Sequence, residues 1–131
     1  MNEARYLQAF GDATDQFMEI IGCDAGYIAN GGSYFTAETH IRHLHEVHAG
    51  MRIHIDTQVI LGDGKKMHLF HRMMYDDTLL ATGEHMLIHV SLETRRASKP
   101  AAHIAAKLAT IADAHAVLPL PEGAGKAVGA R

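Results

Sequence analysis

The 131-residue chain has one cysteine, no excess of basic residues and no long apolar run. A single cysteine, Cys23, cannot form a disulfide within the chain, and its simplest interpretation is a small buried apolar residue. The net charge of −3 argues against nucleic acid as the main partner, because proteins that bind it normally carry a basic excess. No apolar run approaches the roughly 20 residues of a membrane span, and the N-terminus lacks the pattern of a signal peptide. These absences predict a cytoplasmic protein that binds neither nucleic acid nor membrane.

The length and composition indicate one globular domain with a real core. Hydrophobic residues make up 47% and charged residues 21% of the chain, which is typical of a folded protein rather than a disordered one. Histidine is the unusual residue, since there are 11 and most lie between His40 and His89. Such a number raises the alternative of a metal site.

A long amphipathic helix is predicted over residues 4–21, because apolar residues recur there at intervals of three and four. They are Tyr6, Leu7, Phe10, Ala13, Phe17, Ile20 and Ile21. Gly11 weakens a helix by about 1 kcal/mol relative to Ala, so we expect close packing against another backbone at this position. Gly22 is the expected end of the helix.

Four strands follow a polar, glycine-rich stretch from Asp24 to Gly32. The period of the apolar residues changes to two, and the predicted strands cover residues 33–47, 52–61, 66–75 and 79–92. Two glycines make the segment 62–65 a hairpin turn, and Asp76-Asp77 forms the next turn. Gly83, inside the last strand, indicates a bulge or a close backbone approach.

The C-terminal part of the chain is alanine-rich and is predicted to be a helix over Ala101–His115. The segment from Pro119 to Arg131 is rich in Gly and Ala and is expected to be loose. Short turns make neighbouring strands antiparallel, and one helix on one face of such a sheet is an α+β layer design. One helix does not cover so much sheet, which favours a two-fold dimer.

Four strings in the chain resemble the hot-dog-fold acyl-CoA thioesterases. They are MNEARYLQAFGDATD, GGSYFTAETHIRHLHEVHAG, KKMHLFHRMMY and ATGEHMLIHV. Within that superfamily the chain is most similar to the betainyl-CoA thioesterases that are associated with carnitine dehydrogenase. The resemblance covers roughly residues 1–96 and implies hydrolysis of a short polar acyl-CoA without a cofactor.

The resemblance also implies a fold and an assembly. A long N-terminal helix is wrapped by a curved antiparallel sheet in residues 1–98, and residues 99–131 form a C-terminal helix and a flexible tail. Two subunits join their sheets edge to edge in a homodimer or tetramer, and acyl-CoA binds at the interface. A functional link to carnitine dehydrogenase is expected as well.

The sequence departs from the family before its first helix. In relatives a strand and a turn precede the residue that matches Met1, and the turn carries an Asp that is expected to be the general base or nucleophile. Neither is present here, so we expect a fold that lacks its first strand and has an exposed sheet edge. A start codon assigned too late is favoured, and a shortened chain or a natural short form are the alternatives.

Three residues are candidates for catalysis. Asn2 matches an Asn of the family, and it either orients water near the amides of the helix N-terminus or simply caps the helix. Glu38 and His40 belong to the string SYFTAETHIRHL, which the resemblance places near the interface. A buried Glu38 would suit a general base, and an ion pair with Arg42 is the alternative.

Five residues are candidates for binding the substrate. Tyr6, Tyr34 and Phe35 offer aromatic faces for a quaternary ammonium group, with ordinary strand packing as the alternative. Arg95 and Arg96 follow the last strand and are candidates for the CoA phosphates, with a solvated charge cluster as the alternative.

Two other functions stay open. The chain is either a non-catalytic hot-dog domain that binds acyl-CoA or assembles, or a carrier of a metal on the histidines from His40 to His48. The metal alternative is disfavoured, because Glu46 follows His45 directly and therefore lies on the opposite face of a strand.

Overall fold

The computed structural model describes residues 3–125. Its elements are α1 (Glu3–Ile20), α2 (Ala25–Ala29), β1 (Gly32–His43), β2 (His54–Gly62), β3 (Lys66–Tyr75), β4 (Thr78–Ser91) and α3 (Ala102–His115). The strands form one antiparallel sheet in the order β1-β4-β3-β2. The predicted α+β class, a helix against an antiparallel sheet, is confirmed. None of the helices in this part of the chain has the length and apolarity that a membrane crossing requires.

Helix α1 turns a narrow apolar stripe toward the sheet. Tyr6, Phe10, Phe17 and Ile21 are buried at intervals of four, seven and four residues, which places them on one side of the helix. The predicted apolar face was too wide, because Leu7 is 49% exposed and Ile20 is 60% exposed. The helix lies over β2 and β3 and leaves β1 largely uncovered.

The end of α1 at Gly22 is confirmed. Gly22 adopts a positive φ of 99°, and its N–H donates to the Glu19 carbonyl at 3.1 Å. The Cys23 N–H donates to the Met18 carbonyl at 2.8 Å. This pair of bonds satisfies carbonyls that the last turn of a helix leaves free.

Two predicted strand bounds and one predicted loop were wrong. β1 ends at His43 rather than at residue 47, because the N–H groups of Leu44 and His45 both converge on the Leu80 carbonyl and the ladder stops there. β2 begins at His54 rather than at residue 52. The stretch after α1 contains α2, whose five residues are too few for a periodic pattern and whose cap, Asp24, accepts from the Tyr27 N–H.

The core consists of two apolar clusters under α1. The larger joins Phe17 and Ile21 to the middle strands and to Ile104 and Leu108 of α3, both fully buried. The smaller is built around Phe10 and Met73. Helix α3 lies beside β2, and its position brings side chains from the C-terminal part of the chain into the core.

The segment from α3 onward also contacts the edge and the far face of the sheet. The Val59 N–H donates to His115 Nδ1 at 2.9 Å, so α3 satisfies an amide of the edge strand β2. Gln58 Nε2 donates to the Pro119 carbonyl, and the Gly125 N–H donates to both carboxylate oxygens of Glu84. Residues 119–125 therefore cross the face opposite α1, which we call the outer face. The rest of the segment that was expected to be loose, residues 126–131, lies outside the described residues.

The two glycines singled out in the sequence differ in their surroundings. A Cβ on Gly83 would lie 2.7 Å from the Phe10 ring, so the expected close approach is confirmed. A Cβ on Gly11 would meet no atom within 4 Å, so the expected close packing at Gly11 was wrong. Gly11 faces open space beside α1.

This contrast predicts opposite effects of the same substitution. Gly83→Ala should lower the free energy of unfolding by about 1–3 kcal/mol, because the methyl group overpacks against Phe10. The matched variant Gly11→Ala should raise it by up to about 1 kcal/mol through helix propensity. Urea unfolding followed by circular dichroism measures both, and an unchanged midpoint for Gly83→Ala would show that Phe10 does not hold α1 to the sheet.

A groove between the long helix and the edge strand as the candidate functional site

A groove lies between α1 and β1, because α1 packs over β2 and β3, the half of the sheet away from β1. Its larger part has a volume of about 530 Å³ and is lined by Ala4, Leu7, Thr39, Ile41 and His43. Its smaller part, of about 360 Å³, is lined by Leu7, Gly11, Thr14, Asp15, Met18, Tyr34, Thr36, Thr39, His85 and Leu87. Both parts share Leu7 and Thr39, so they form one continuous groove along the helix.

A bulge in β1 decides which side chains face this groove. Thr36 pairs with Leu87 and Glu38 pairs with Met86, so Ala37 is the extra residue. Thr36 and Thr39 consequently line the same groove although they are three positions apart. In a regular strand they would point to opposite faces.

Three of the predicted site residues lie away from the groove, and for two of them, Glu38 and His40, the bulge is the cause. Phe35, Glu38 and His40 alternate with the groove-lining positions and lie on the outer face. Phe35 and Glu38 are exposed, and His40 lies opposite Glu84 of β4. The structure therefore does not bring Glu38 and His40 together with Tyr34.

The other predicted residues lie at the two ends of the groove or beyond it. Tyr6 is buried beside the larger part, where its ring is perpendicular to that of His43 at 4.6 Å. Tyr34 lines the smaller part. Arg95 and Arg96 are exposed in the turn after β4, at the sheet end nearer the smaller part. Asn2 lies outside the described residues.

Tyr34 is held in place by its hydroxyl group. The O–H donates to the Gly64 carbonyl at 2.6 Å, and the ring meets that of His89 edge to face at 5.1 Å. Burial raises the pKa of the Tyr34 phenol, so the group stays a neutral donor. Tyr34 offers the groove an aromatic edge and no charge.

A row of polar side chains crosses the sheet beneath α1. Thr39 pairs with His85, and Thr57 pairs with His71, so each of the four strands contributes one residue. His85 Nδ1 lies 3.2 Å from Thr39 Oγ1, and His71 Nδ1 lies 2.8 Å from Thr57 Oγ1. The two rings meet at 5.2 Å. The row begins at the groove and ends at the edge strand β2.

The hydrogen bonds of His71 define its protonation. Thr14 Oγ1 donates to the Phe10 carbonyl at 3.0 Å, so it accepts from His71 Nε2 at 2.8 Å. Thr57 then donates its hydroxyl proton to Nδ1, and His71 is the neutral tautomer with the proton on Nε2. Burial, with a smaller contribution from His85, lowers the pKa of His71 to about 3. Such a ring positions α1 and does not exchange protons at neutral pH.

His85 is also neutral, since burial lowers its pKa. Its Nε2 is buried and has no hydrogen-bond partner among the residues that the structure describes. The ring nevertheless lines the groove and holds the Thr39 hydroxyl, which faces both parts of it. His85 therefore orients a groove hydroxyl rather than acting as a base.

The remaining histidines are dispersed rather than gathered around one centre. In residues 3–125, no three side chains of His, Cys, Asp or Glu are arranged to hold a metal ion. His89 is bound between Tyr27 and Ser98, and burial lowers its pKa. His68 lies 3.3 Å from Glu84 on the outer face. This dispersal speaks against the metal-site alternative.

Sequence reasoning missed four groove residues: Thr14, Thr39, His43 and His85. A regular alternation through β1 assigns His43 to the face opposite His40, and the only role considered for it there is in the metal alternative. Nothing in the local sequence marks Ala37 as a bulge, because a bulge depends on the register with β4. The buried hydroxyl and imidazole pairs join residues that are 14 to 57 positions apart.

Comparisons with known proteins agree with this geometry. A family model described as the thioesterase-like superfamily matches residues 1–108. An L-carnitine dehydrogenase/betainyl-CoA thioesterase of Ruegeria pomeroyi is 65% identical over 98% of this chain, which spans 26% of that protein. A betainyl-CoA thioesterase of Pseudomonas aeruginosa is 39% identical over 98% of this chain and 83% of its own length. The resemblance stated from the sequence is confirmed.

Solved structures show the same fold. A hypothetical protein from Staphylococcus aureus in complex with CoA has a TM-score of 0.91 and 26% identity, over 97% of this chain and 82% of that one. A protein from Pseudomonas putida described as a putative thioesterase has a TM-score of 0.82 and 31% identity over the same shares. The chain spans about a quarter of the length of the fused relatives that it matches.

The bond between Thr14 and His71 should matter for stability. Thr14→Val should lower the free energy of unfolding by about 1–3 kcal/mol, because the Nε2–H of His71 loses its acceptor in the core. The matched control is Thr110→Val, since the exposed Thr110 makes a similar bond to the Ala106 carbonyl of α3. The control should change stability by less than about 0.5 kcal/mol. Equal effects of the two variants in urea unfolding would contradict a role for the buried bond.

The pKa of His71 also predicts a dependence of stability on pH. Its pKa is about 3 when folded and 6.5 ordinarily, so between these values the unfolded chain binds a proton that the folded protein excludes. The stability contributed by neutral His71 is complete above pH 6.5 and is lost as the pH falls toward 3. His71→Gln should reduce the slope of unfolding free energy against pH by at most about 1.4 kcal/mol per unit. Parallel slopes for both proteins would contradict this assignment.

Proposed function

This chain belongs to the thioesterase-like superfamily, and we propose that it hydrolyses an acyl-CoA thioester in the groove between α1 and β1. The observation that carries the proposal is the groove itself. It is continuous, lined by hydroxyl groups and apolar side chains, and adjoins the first turn of a long helix. A concave site with a few convergent polar groups is the usual form of a small-molecule site.

The proposed substrate is betainyl-CoA, and the products are betaine and CoA. Relatives that are 65% and 39% identical to this chain carry that activity in their names. The acyl group is short and bears a quaternary ammonium group, which aromatic faces attract. The buried Tyr6 ring contacts the ring of His43, which lines the larger part of the groove, so Tyr6 is the aromatic residue that we propose for this contact.

The direction in which the substrate lies follows from the two ends of the groove. The first amides of a helix lack carbonyl partners, and the helix dipole favours negative charge beside them. The larger part adjoins Ala4 in the first turn of α1, so we place the thioester carbonyl there, where its developing oxyanion would be stabilised. Arg95 and Arg96, beyond the other end, are the proposed partners of the CoA phosphates.

The length of the groove suits the arm of CoA between these two ends. Residues Ala4 to Met18 of α1 line it, and at 1.5 Å per residue they span about 21 Å. In this arrangement the pantetheine arm lies along the smaller part, where the Thr36 and Thr39 hydroxyls are available to its amide groups. Tyr34 contributes a rigid wall, consistent with its prediction as a substrate-binding residue.

The predictions for Phe35, Glu38 and His40 require a different location. They lie on the outer face, so roles in binding the ammonium group or activating water would need chemistry on that side of the sheet. These three residues therefore remain candidates for a site on the outer face, and the substitution Glu38→Gln tests whether catalysis takes place there. A large loss of turnover in Glu38→Gln would favour the outer face over the groove.

The proposal includes an assembly and a cellular context. β1 is an edge strand beside the groove, so edge-to-edge pairing of two copies would close the open side. A homodimer is the smallest assembly that does so, and a tetramer of two such dimers is the larger alternative. The fused relatives carry a carnitine dehydrogenase in their names, which supports a functional link to that enzyme. The proposed location is the cytoplasm.

The test is thioester hydrolysis followed with a thiol-trapping dye. We expect betainyl-CoA to have a kcat/KM roughly tenfold above that of tert-butylacetyl-CoA, its uncharged isostere, because the cation gains from aromatic contact. A long-chain acyl-CoA should be a poor substrate, since the groove holds it less completely. Release of CoA from none of these thioesters would overturn the enzymatic proposal and favour a binding or assembly domain.

A further inference from the structure

Gly11 lies in the middle of α1, where packing gives no reason for a glycine. A glycine inside a helix lowers its stability relative to Ala, so such a position usually reflects close packing or function. A Cβ at Gly11 would meet no atom of the described residues within 4 Å, so close packing does not explain it. Gly11 lines the smaller part of the groove, and its lack of a side chain keeps this part open.

His85, on β4, lines the same part of the groove and has a ring nitrogen without a partner. The side chain is only 3% exposed, and Nδ1 lies 3.2 Å from Thr39 Oγ1. Nε2 has no hydrogen-bond partner among residues 3–125. A side chain stands roughly perpendicular to its sheet, so Nε2, at the far end of the ring, is directed toward α1. Buried polar atoms are rarely left unpaired, and such an exception indicates that another group completes the bond.

Resting on the proposed function, we propose that Gly11 and His85 form a subsite for an amide group in the pantetheine arm of CoA. Gly11 leaves space for the arm beside α1, and His85 Nε2 makes a hydrogen bond to the amide from the side of the sheet. In this role His85 binds and positions the substrate and transfers no proton.

An amide suits this nitrogen better than the other polar groups near the thioester. Nε2 of a neutral imidazole is a donor or an acceptor, depending on the tautomer, and an amide offers both an N–H and a carbonyl. The quaternary ammonium group has no N–H to donate, and the thioester carbonyl is placed in the larger part of the groove. Burial lowers the pKa of His85, so the uncharged ring faces an uncharged amide.

The spacing along α1 selects the second of the two amides in the pantetheine arm. Gly11 lies about 10 Å beyond Ala4, because each helical residue advances about 1.5 Å. The nitrogen of the second amide is about eight covalent bonds from the thioester carbon, and an extended chain advances about 1.2 Å per bond. The second amide therefore reaches the level of Gly11 when the thioester carbon is beside Ala4.

Access to Nε2 depends on the wall of the groove. The atom is buried, so the pantetheine arm reaches it only when a neighbouring side chain turns aside. Leu7 is 49% exposed and lines both parts of the groove, so we expect this side chain to move. The ring of His85 keeps its orientation, since Thr39 holds Nδ1.

The first experiment fills the space at position 11. Gly11→Leu should raise the KM of betainyl-CoA about tenfold and change kcat by less than about threefold, because the added side chain competes with the pantetheine arm. Gly11→Ala should raise KM about threefold while it raises the midpoint of urea unfolding, a combination that a structural role would not produce. The matched control is Gln16→Leu, at an exposed position of α1 outside the groove, which should keep the wild-type KM.

The second experiment removes Nε2 of His85. In His85→Asn the side-chain amide stands near the position of Nδ1 and nothing replaces Nε2, whereas in His85→Gln the amide stands near Nε2. We expect the Kd of CoA, measured by calorimetry, to rise about tenfold in His85→Asn and about threefold or less in His85→Gln. Urea unfolding of both variants separates a loss of folding from a loss of binding.

The betainyl thioester of N-acetylcysteamine identifies the group that is bound. It keeps the first amide of the arm and lacks the second, so His85→Asn should leave its KM unchanged. An equal rise in KM for this thioester and for betainyl-CoA would overturn the assignment of the second amide. An unchanged Kd of CoA in both Gly11→Leu and His85→Asn would overturn the subsite, and turnover of betainyl-CoA by wild type would then leave the proposed function standing. If both substitutions weaken CoA binding but wild type hydrolyses no thioester, the subsite stands and the proposed function falls.

Discussion

The contact between α1 and the middle of the sheet is the constraint on which the rest of the structure depends. Gly83 has no side chain, and the Phe10 ring occupies the space that a Cβ would fill. One turn further along α1, Thr14 joins the buried ring of His71. The apolar contact stabilises the packing of the helix on the sheet, and the hydrogen bond is directional. Together they fix the distance of the helix from the sheet and its rotation about its own axis.

The groove follows from that placement. Because α1 is held over β2 and β3, it stands apart from β1, and the space between helix and edge strand stays open. The same polar row that anchors α1 at His71 reaches the groove at Thr39 through His85. A buried polar row is costly unless its groups are paired, and three threonine hydroxyls pair three of the four ring nitrogens of His71 and His85. Burial itself keeps the two imidazoles neutral, because it lowers their pKa. The interior thus positions the site without contributing charge to it.

The two faces of β1 have separate roles because of one extra residue. Ala37 shifts the alternation, so Thr39 and His43 face the groove, whereas Glu38 and His40 face the side that residues 119–125 cross. The high number of histidines therefore has no single explanation. His71 anchors the helix, His115 accepts an amide of the edge strand, and His43 lies exposed in the groove.

The sequence by itself determined the two long helices, the four strands and the family. The apolar residues that recur at intervals of three and four between Tyr6 and Ile21 predict α1, and Gly22 predicts its end. The apolar residues of 66–75, which lie between two turns, predict β3 with its observed bounds. Gly83 indicates a close approach, since a glycine inside a strand has few other reasons to occur. These are local properties, and local sequence carries them.

Only the tertiary structure decided which residues share the site. The bulge at Ala37 exists because β1 must match the register of β4, and no neighbour in sequence records that match. The open space at Gly11 and the exposure of Leu7 depend on where α1 comes to rest. His43 and Ala4 line one cavity because α1 runs antiparallel to β1 across 39 residues of chain. Such proximity is a property of packing between distant segments, which no local pattern specifies.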